Sequence, residues 1–326
     1  MEGVNSKINM KSIMKLFRGQ GALVSLILLC IVATIRYENF LSVYNISNIL
    51  RQGSMIGLVA TGMTFVILTG GIDLSVGSVV AVSAVLAANL SGNSIVIAIL
   101  VPLLVGGFLG LINGLVISKL KIPPFITTLA MMMGVRGIAY ISTGEVSVRV
   151  NKLATAFTEI GRGEIFGFPI PSLIFIVVVI MVSIILKFTP FGRHVLAVGG
   201  NEEAARVMGL RVDRTITMVY VISGLLSALA GVILASRLGA GQPVAADGWE
   251  MTAIAAVVLG GTQLTGGVGK FSGTFIGVLI IGIITNMFNM QGDINTWWQN
   301  VLMGGVLLMV IIIQSQVTKK RIAKPT

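Results

Sequence analysis

Long apolar runs separated by short polar connections dominate this amino-acid sequence. A helix needs about 20 apolar residues to cross the hydrocarbon core of a bilayer. Ten runs of roughly that character can be drawn, near residues 21–35, 53–69, 74–90, 94–118, 124–142, 170–188, 215–236, 250–262, 271–290 and 298–315. The pattern predicts an all-α membrane protein, a polytopic helical bundle of about ten transmembrane helices.

The composition agrees with a membrane-embedded helical chain. The 326 residues are 55% hydrophobic and only 11% charged, whereas a soluble domain carries about 25% charged residues. The 40 Gly and 16 Met suit helices that pack closely through small side chains better than an outer-membrane barrel. Cys30, the single cysteine, lies inside the first run, so it forms no internal disulfide and indicates no metal site.

Positive charges indicate the orientation of the chain. If the first run starts in the cytoplasm, the cytoplasmic connections are 70–73, 119–123, 189–214 and 263–270, together with both termini. Lys and Arg concentrate in the last three connections and at the termini, as the positive-inside rule requires. The net charge of +11 therefore faces anionic membrane lipid and the cytoplasm, and nucleic acid is not an expected partner.

These assignments divide the chain into three parts. Residues 1–20 are predicted to form a cytoplasmic N-terminal segment, 21–315 the transmembrane domain with the connection 189–214, and 316–326 a cytoplasmic tail. The long segment 143–169 falls on the outer face, where its length and mixed charges predict a short surface helix and a partner-docking surface.

Two Gly-rich stretches interrupt the apolar pattern. In the stretches 66–77 and 257–269, three apolar residues precede a Gly-Gly pair and a later Leu followed by Ser or Thr. This weak duplication is typical of transporters in which interrupted helices line the pathway. Elsewhere Gly106, Gly110 and Gly114 recur every fourth residue and predict close approach of a neighbouring helix.

The connection 189–214 is too charged to cross a membrane, and it carries a helix signature. Asn201 is placed to cap a helix whose first turn holds Glu202 and Glu203, and Gly209 is placed to end it about two turns later. The residues alone leave open whether this short amphipathic helix is a docking element or a solvated connection.

Four motifs, in order, give the chain a family resemblance. Glu203, Ala204, Ala205 and Gly209 resemble the coupling-helix motif of ABC importer permeases. The stretches GIDLSVG at 71–77, AAVVLGG at 255–261 and the Gly-Gly-x-Gly that ends at Gly269 are similar to ribose-type simple-sugar permeases. Together the matches cover about residues 45–315.

The resemblance implies a permease subunit that moves a monosaccharide, ribose or similar, across the bacterial inner membrane. It implies three partners: an ABC nucleotide-binding (ATPase) subunit, a second permease copy or a paired permease, and a periplasmic or extracellular sugar-binding protein. ATP-Mg would be used by the ATPase subunit, and no cofactor is expected on this chain. The segment expected to contact the ATPase comprises Asn201, Glu202, Glu203, Ala204, Ala205, Arg206 and Gly209.

No enzyme chemistry is indicated by the residues themselves. The sequence lacks a G-x-x-x-x-G-K-[ST] phosphate-binding loop, and its one His and one Cys suggest no nucleophile and base pair. No catalytic residue is therefore expected.

Five polar residues within or beside the apolar runs are candidates for the translocation pathway or its gate: Asp73, Ser75, Asn113, Gln263 and Asn286. Asp73 is the sharpest of them, since an ionisable group beside long apolar runs is costly unless it is paired or reaches water. It is expected either to cap the helix that starts near Ser75, to accept hydrogen bonds from a sugar, or to couple nucleotide state to the gate. The neutral side chains could equally hold helices together.

Three other functions stay open on the sequence. The first is an ABC permease for nucleosides or branched-chain amino acids, and the second is an ion-coupled secondary carrier with Asp73 as the coupling site. The third is a membrane scaffold that transports nothing. The GIDLSVG stretch favours sugar over the first, and the coupling-like segment 201–209 argues against the second.

Overall fold

The structure is a computed structural model that describes residues 21–292 and the single positions 298, 301, 304, 305, 308, 309 and 312. Three of the predicted regions lie wholly or mostly outside the described residues: the N-terminal segment 1–20, the tenth apolar run at 298–315, and the tail 316–326.

Helices form most of the described chain, which also contains four two-residue strands. In chain order the elements are α1 (Gly21–Arg36), α2 (Val43–Leu68), α3 (Val76–Leu90), α4 (Ile95–Lys119), α5 (Pro124–Thr143), β1 (Val148–Arg149), α6 (Thr155–Arg162), β2 (Glu164–Ile165), β3 (Phe168–Pro169), α7 (Ile170–Phe188), α8 (Pro190–Gly200), α9 (Glu202–Val207), α10 (Val212–Leu238), β4 (Ala240–Gly241), α11 (Trp249–Leu259) and α12 (Phe271–Gln291).

Six of these helices, α2, α4, α5, α7, α10 and α12, are long and apolar enough to cross a membrane. The result supports an all-α polytopic membrane protein. Three further apolar helices, α1, α3 and α11, are shorter. At 1.5 Å per residue, the 15 residues of α3 and the 11 of α11 fall short of the roughly 30 Å hydrocarbon core. Ten full crossings therefore remain a prediction.

The start of α2 differs from the predicted run at 53–69. The helix begins at Val43, because Ser42 caps it and two of the polar side chains in its first turns have tertiary partners. Asn45 is hydrogen-bonded to Asn286, and Arg51 forms an ion pair of 2.8 Å with Glu164. Polar residues that look like a connection in the sequence are thus part of a helix.

The helix α10 forms the centre of the bundle and packs against α2, α3 and α4. Its contact with α4 follows the glycines predicted for close packing. A Cβ on Gly106 would lie 2.5 Å from Ala228 Cβ, and one on Gly114 would lie 2.6 Å from Thr217 Cα. A Cβ on Gly110 would collide with the carbonyl oxygen of Tyr220. The packing prediction for these three glycines is confirmed.

The short helices α3 and α11 pack against the long helices α10 and α2, respectively. Each of α10 and α11 packs against both α2 and α3. The first turns of α3 and α11 meet, because a Cβ on Gly77 would lie 2.6 Å from a carboxylate oxygen of Glu250. Interrupted helices of this kind are typical of transporter cores.

The connections gather at two ends of the bundle. At one end, Lys121 contacts Asp213, and Gly267 donates a hydrogen bond to Leu68. That end therefore collects the connections predicted to be cytoplasmic. At the other end, β1 pairs with β4 in antiparallel register, which joins the segments 143–169 and 239–248.

The segment 143–169 contains the predicted short helix, α6, and a small hairpin of β2 and β3. The side chain of Arg136 donates hydrogen bonds to the carbonyls of Pro243 (2.9 Å) and Ala245 (2.7 Å) at the same end of the bundle. The connection between α10 and α11 is thereby attached to α5.

Candidate functional site

The short helix α9 is fixed at both ends by its own sequence. Asn201 caps it by accepting a 2.9 Å hydrogen bond from the backbone N–H of Ala204. At its other end Gly209 has a φ of +81°, its N–H bonds to Arg206 O, and the N–H of Leu210 bonds to Ala205 O. This pair of bonds is a Schellman motif, which requires a residue in the left-handed region. The predicted cap and stop are confirmed.

The surroundings of α9 differ from the prediction in one respect. The helix ends at Val207, and a second helix, α8, precedes it at Pro190–Gly200. The prediction assigns Gly199 and Gly200 only to the charged connection 189–214, whereas both residues are helical. Gly199 serves close packing instead: a Cβ there would collide with the carbonyl oxygen of Leu68 and lie 2.6 Å from the N of Gly267.

These contacts form a backbone junction between three segments. The end of α8 lies against the end of α2 and against the connection 260–270, and Gly267 N donates a 2.9 Å hydrogen bond to Leu68 O. The end of α8 is therefore in direct backbone contact with the end of α2. Gly199, Gly266 and Gly267 lie where these backbones touch, which accounts for the glycines at these three positions.

The outward face of α9 combines charge with exposed apolar groups. Ala205 is the buried residue of the helix, whereas Glu203 is exposed. Val207 and Met208 are exposed at 89% and 68%. An apolar side chain that projects from a charged surface is a common feature of protein contacts. Val207 and Met208 are not among the residues predicted to contact the ATPase. Their position, as two apolar residues at the end of an amphipathic helix, is a sequence signal that could have predicted such a contact.

Four charged side chains of alternating sign form a closed ring beside α9. Lys121 lies 3.6 Å from Glu202 and 3.0 Å from Asp213, and Arg206 lies 3.1 Å from Glu202 and 2.9 Å from Asp213. The pKa of the Arg206 guanidinium is raised, first by its hydrogen bond with Asp213 and then by that with Glu202. Exposed ion pairs add little stability, but this ring ties α9 both to α10 and to the connection after α4.

A buried polar cluster lies deeper in the bundle. The side chain of Asp73 is 2% exposed, and its Oδ1 accepts hydrogen bonds from the N–H (3.0 Å) and hydroxyl (2.6 Å) of Ser75. Its Oδ2 accepts a 2.8 Å bond from the hydroxyl of Ser223, and Asn113 donates a 3.0 Å bond to Ser75 Oγ. Three of the five predicted pathway residues therefore meet here, and Ser223 is a member that the sequence did not reveal.

The geometry refines the role expected of Asp73 at the helix start. The helix α3 begins at Val76 with Ser75 at the N-cap position, so Asp73 is not the cap residue. It instead fixes the turn before the helix and joins that turn to α10 through Ser223. Among the described residues, the carboxylate forms no ion pair with a Lys or Arg. A buried carboxylate held by neutral donors alone is costly, and a pathway or gating role for Asp73 stays a prediction.

The other two predicted pathway residues lie elsewhere. Gln263 is partly exposed in the connection between α11 and α12, where its N–H bonds to Val268 O. Asn286 exchanges two hydrogen bonds, of 3.1 and 2.7 Å, with Asn45 at the start of α2. The Asn45–Asn286 pair joins α2 to α12, whereas the Gln263 bond lies within one connection, and a pathway role for either Gln263 or Asn286 stays a prediction.

Comparison with known proteins decides the class. A family profile described as "Branched-chain amino acid transport system / permease component" matches residues 45–311. The chain belongs to this family of transport permeases. The permease is thus a component of a transport system and not an enzyme.

Three curated relatives are similar along nearly the whole permease. It is 45% identical to the ribose import permease protein RbsC of Bacillus subtilis (strain 168), over 90% of this chain and 91% of that protein. It is 41% identical to the protein of the same name from Haemophilus influenzae, over 93% and 95% of the two chains. It is 41% identical to the L-arabinose transport system permease protein AraH of Escherichia coli (strain K12), over 90% and 89%. No solved structure matches the permease.

Proposed function

We propose that the chain is the membrane permease of an ABC importer that carries a pentose, ribose or arabinose, into a bacterial cell. The observation that carries the proposal is the 38–45% identity, over 90% or more of the chain, to permeases named for ribose and L-arabinose import. The family description names branched-chain amino acids, whereas the relatives that match most of the chain are named for ribose and L-arabinose.

In this proposal a separate subunit hydrolyses ATP, and that subunit binds the permease at α9. Three observations support this role for the residues 201–209. The helix is capped at both ends, so it can move as a rigid body. Val207 and Met208 project from it, and its connections through the ion-pair ring and the Gly199 junction lead to α4, α10 and α2. A movement of α9 would therefore be transmitted to α2, α4 and α10.

The remaining parts of the proposal follow the family. A second permease copy or a paired permease completes the membrane unit, an extracellular sugar-binding protein delivers the sugar, and ATP-Mg acts on the ATPase subunit. The chain lies in the inner membrane with about ten crossings and both termini in the cytoplasm. The gathering of the Lys- and Arg-rich connections at one end of the bundle supports this orientation.

The decisive experiment is transport by a reconstituted complex. Proteoliposomes would contain the permease with the ATPase subunit and sugar-binding protein encoded beside it. We expect uptake of radiolabelled D-ribose or L-arabinose that requires ATP and the binding protein. Uptake of leucine and neither sugar would overturn the sugar assignment. Sugar uptake driven by an ion gradient without ATP would overturn the ABC mechanism in favour of a secondary carrier with Asp73 as its coupling site.

The docking role of α9 has its own test. Val207→Asp places a charge on the projecting surface, and we expect it to release the ATPase subunit during co-purification while membrane insertion is unchanged. Val244→Asp is the matched control, because Val244 is also exposed (56%) but lies in the connection between α10 and α11, at the other end of the bundle. Equal retention of the ATPase by wild type and Val207→Asp would contradict the docking assignment.

A further inference from the structure

A cleft opens beside α9 at the end of the bundle that carries this helix, and Glu202 of α9 is one of its lining residues. Its volume is about 250 Å³. The backbone at Gly70 and Gly71 forms one side of it and the residues 121–124 another, with Tyr220 of α10 among its lining residues. The cleft thus lies between the turn after α2, the turn after α4, and α10.

The lining of the cleft favours a small neutral molecule with both apolar and polar faces. Ile117, Ile216 and Pro124 provide apolar walls. At the rim, Lys121 and Glu202 carry opposite charges 3.6 Å apart, so the opening has no excess of either sign. Pockets for drug-sized ligands are about 300–1,000 Å³, so this cleft suits something smaller, and a nucleotide is excluded by both size and charge.

One polar group in the lining has an unmet hydrogen bond. The hydroxyl of Tyr220 is 1% exposed and has no hydrogen-bond partner among the described residues. A Cβ on Gly71 would lie 2.5 Å from this oxygen, and Gly71 itself lines the cleft. A buried hydroxyl without a partner is unfavourable. The oxygen is covered in this structure, so a ligand hydroxyl in the cleft would supply the missing bond after a small movement of the lining.

We propose that this cleft is a binding site for a monosaccharide on the ATPase side of the permease, with the Tyr220 hydroxyl as its hydrogen-bonding anchor. Apolar walls pack against the C–H groups of a sugar ring, and the hydroxyl recognises one of its oxygens. The choice of a monosaccharide as the ligand rests on the proposed function. The site goes beyond that function because imported sugar that accumulates inside the cell would occupy it.

Occupancy of the cleft has a mechanical consequence. Its rim includes Lys121 and Glu202, which belong to the ring that joins α9 to the connection after α4. A sugar seated between that connection and α10 would hold them at a fixed separation. It would therefore oppose any movement of α9 that the transport cycle requires, so that internal sugar slows further uptake.

The test uses the complex of permease and ATPase subunit in nanodiscs, without the binding protein, and radiolabelled D-ribose and L-arabinose as probes. We expect saturable binding that weakens about threefold to tenfold in Tyr220→Phe, the range for one neutral hydrogen bond. Ile117→Trp, which fills the cleft, should abolish binding. Tyr140→Phe is the matched control, because this tyrosine of α5 does not line the cleft. D-ribose 5-phosphate should compete poorly.

A second arm measures uptake into proteoliposomes that are preloaded with sugar on the ATPase side. We expect preloading to slow uptake in the wild type and to slow it less in Tyr220→Phe. Three results would each refute the proposed sugar site. They are the absence of saturable binding in the wild type, binding that neither substitution alters, and stronger binding of the phosphate ester than of the sugar. Normal ATP-driven sugar uptake with any of these results would leave the proposed function intact, whereas no sugar uptake at all would refute the function itself.

Discussion

The hydroxyl of Ser223 donates a hydrogen bond of 2.8 Å to the buried carboxylate of Asp73, 150 residues earlier in the chain. This bond links the turn between α2 and α3 to the central helix α10. The same carboxylate accepts two bonds from Ser75, to which Asn113 of α4 also donates. Asp73 and Ser75 together therefore connect the start of α3 to α4 and α10.

Removal of the Ser223 hydroxyl should destabilise the permease. Ser223→Ala deletes one donor to a buried carboxylate, and hydrogen bonds to charged groups contribute about 1.5–3 kcal/mol. We expect the free energy of unfolding, measured by denaturant titration in mixed micelles, to fall by about that amount.

Ser227→Ala provides the matched control for this measurement. Ser227 lies one turn further along α10, is equally buried, and its hydroxyl has no hydrogen-bond partner among the described residues. Its removal should be neutral or slightly stabilising. If both substitutions cost the same free energy, the Asp73 carboxylate is not what makes Ser223 important.

The contrast between α9 and the Asp73 cluster shows which features the sequence could predict. The ends of α9 are fixed by residues within the same ten positions, so Asn201 and Gly209 can be identified from local preferences alone. Ser223 cannot, since nothing in its neighbourhood distinguishes it from Ser227. The difference is a partner 150 residues away.

The same reasoning explains two errors in the predicted elements. The sequence pattern places the start of α2 too late because Asn45 and Arg51 look like loop residues until Asn286 and Glu164 are brought against them. It does not predict α8 because residues 190–200, which end in the Gly-Gly pair at 199–200, are assigned only to the charged connection 189–214. Only the packed structure shows that the first of these glycines is needed for contact with another backbone.

A methyl group at Gly199 should disrupt the backbone junction between the end of α8, the end of α2 and the connection 260–270. Gly199→Ala forces a Cβ against the carbonyl oxygen of Leu68, so the three backbones must separate. Overpacking of this kind costs about 1–3 kcal/mol. We expect a lower Tm and weaker retention of the ATPase subunit, both measured on purified protein.

Gly200→Ala separates this packing effect from the effect of losing a glycine. A Cβ on Gly200 meets no atom within 4 Å, and the residue is also helical. The substitution should change the free energy of unfolding by less than about 1 kcal/mol, in the stabilising direction expected from helix propensity. Equal losses in both variants would contradict the proposed backbone contact.

The contact between α4 and α10 should be similarly intolerant of side chains. In Gly110→Ala the new Cβ collides with the backbone carbonyl of Tyr220, which cannot rotate away. In Gly107→Ala the nearest atom is the end of the Leu225 side chain at 3.0 Å, which can. We expect Gly110→Ala to lower the Tm and Gly107→Ala to leave it unchanged or raise it, in thermal unfolding of the detergent-solubilised protein. A Tm that is equal for the two variants would show that α4 can move away from α10 at no cost.

The ion-pair ring should matter for coupling more than for stability. Lys121→Glu places a third carboxylate beside Glu202 and Asp213, so the connection after α4 is repelled from α9 instead of held to it. Coupling energies between sites typically correspond to fivefold effects or more. We therefore expect ATP-driven sugar uptake into proteoliposomes to fall by about fivefold, while the Tm changes little because the ion pairs are exposed.

Lys119→Glu is the matched control for the ring, since it makes the same change of charge two positions earlier. Lys119 is also exposed, at the end of α4, and forms no ion pair among the described residues. Its substitution should leave uptake close to the wild-type rate. The defect of Lys121→Glu should also shrink as salt is raised, because screening weakens the repulsion between exposed carboxylates. Equal losses of uptake in the two variants would show that α9 does not act through this ring, because the added negative charge alone would then account for the defect.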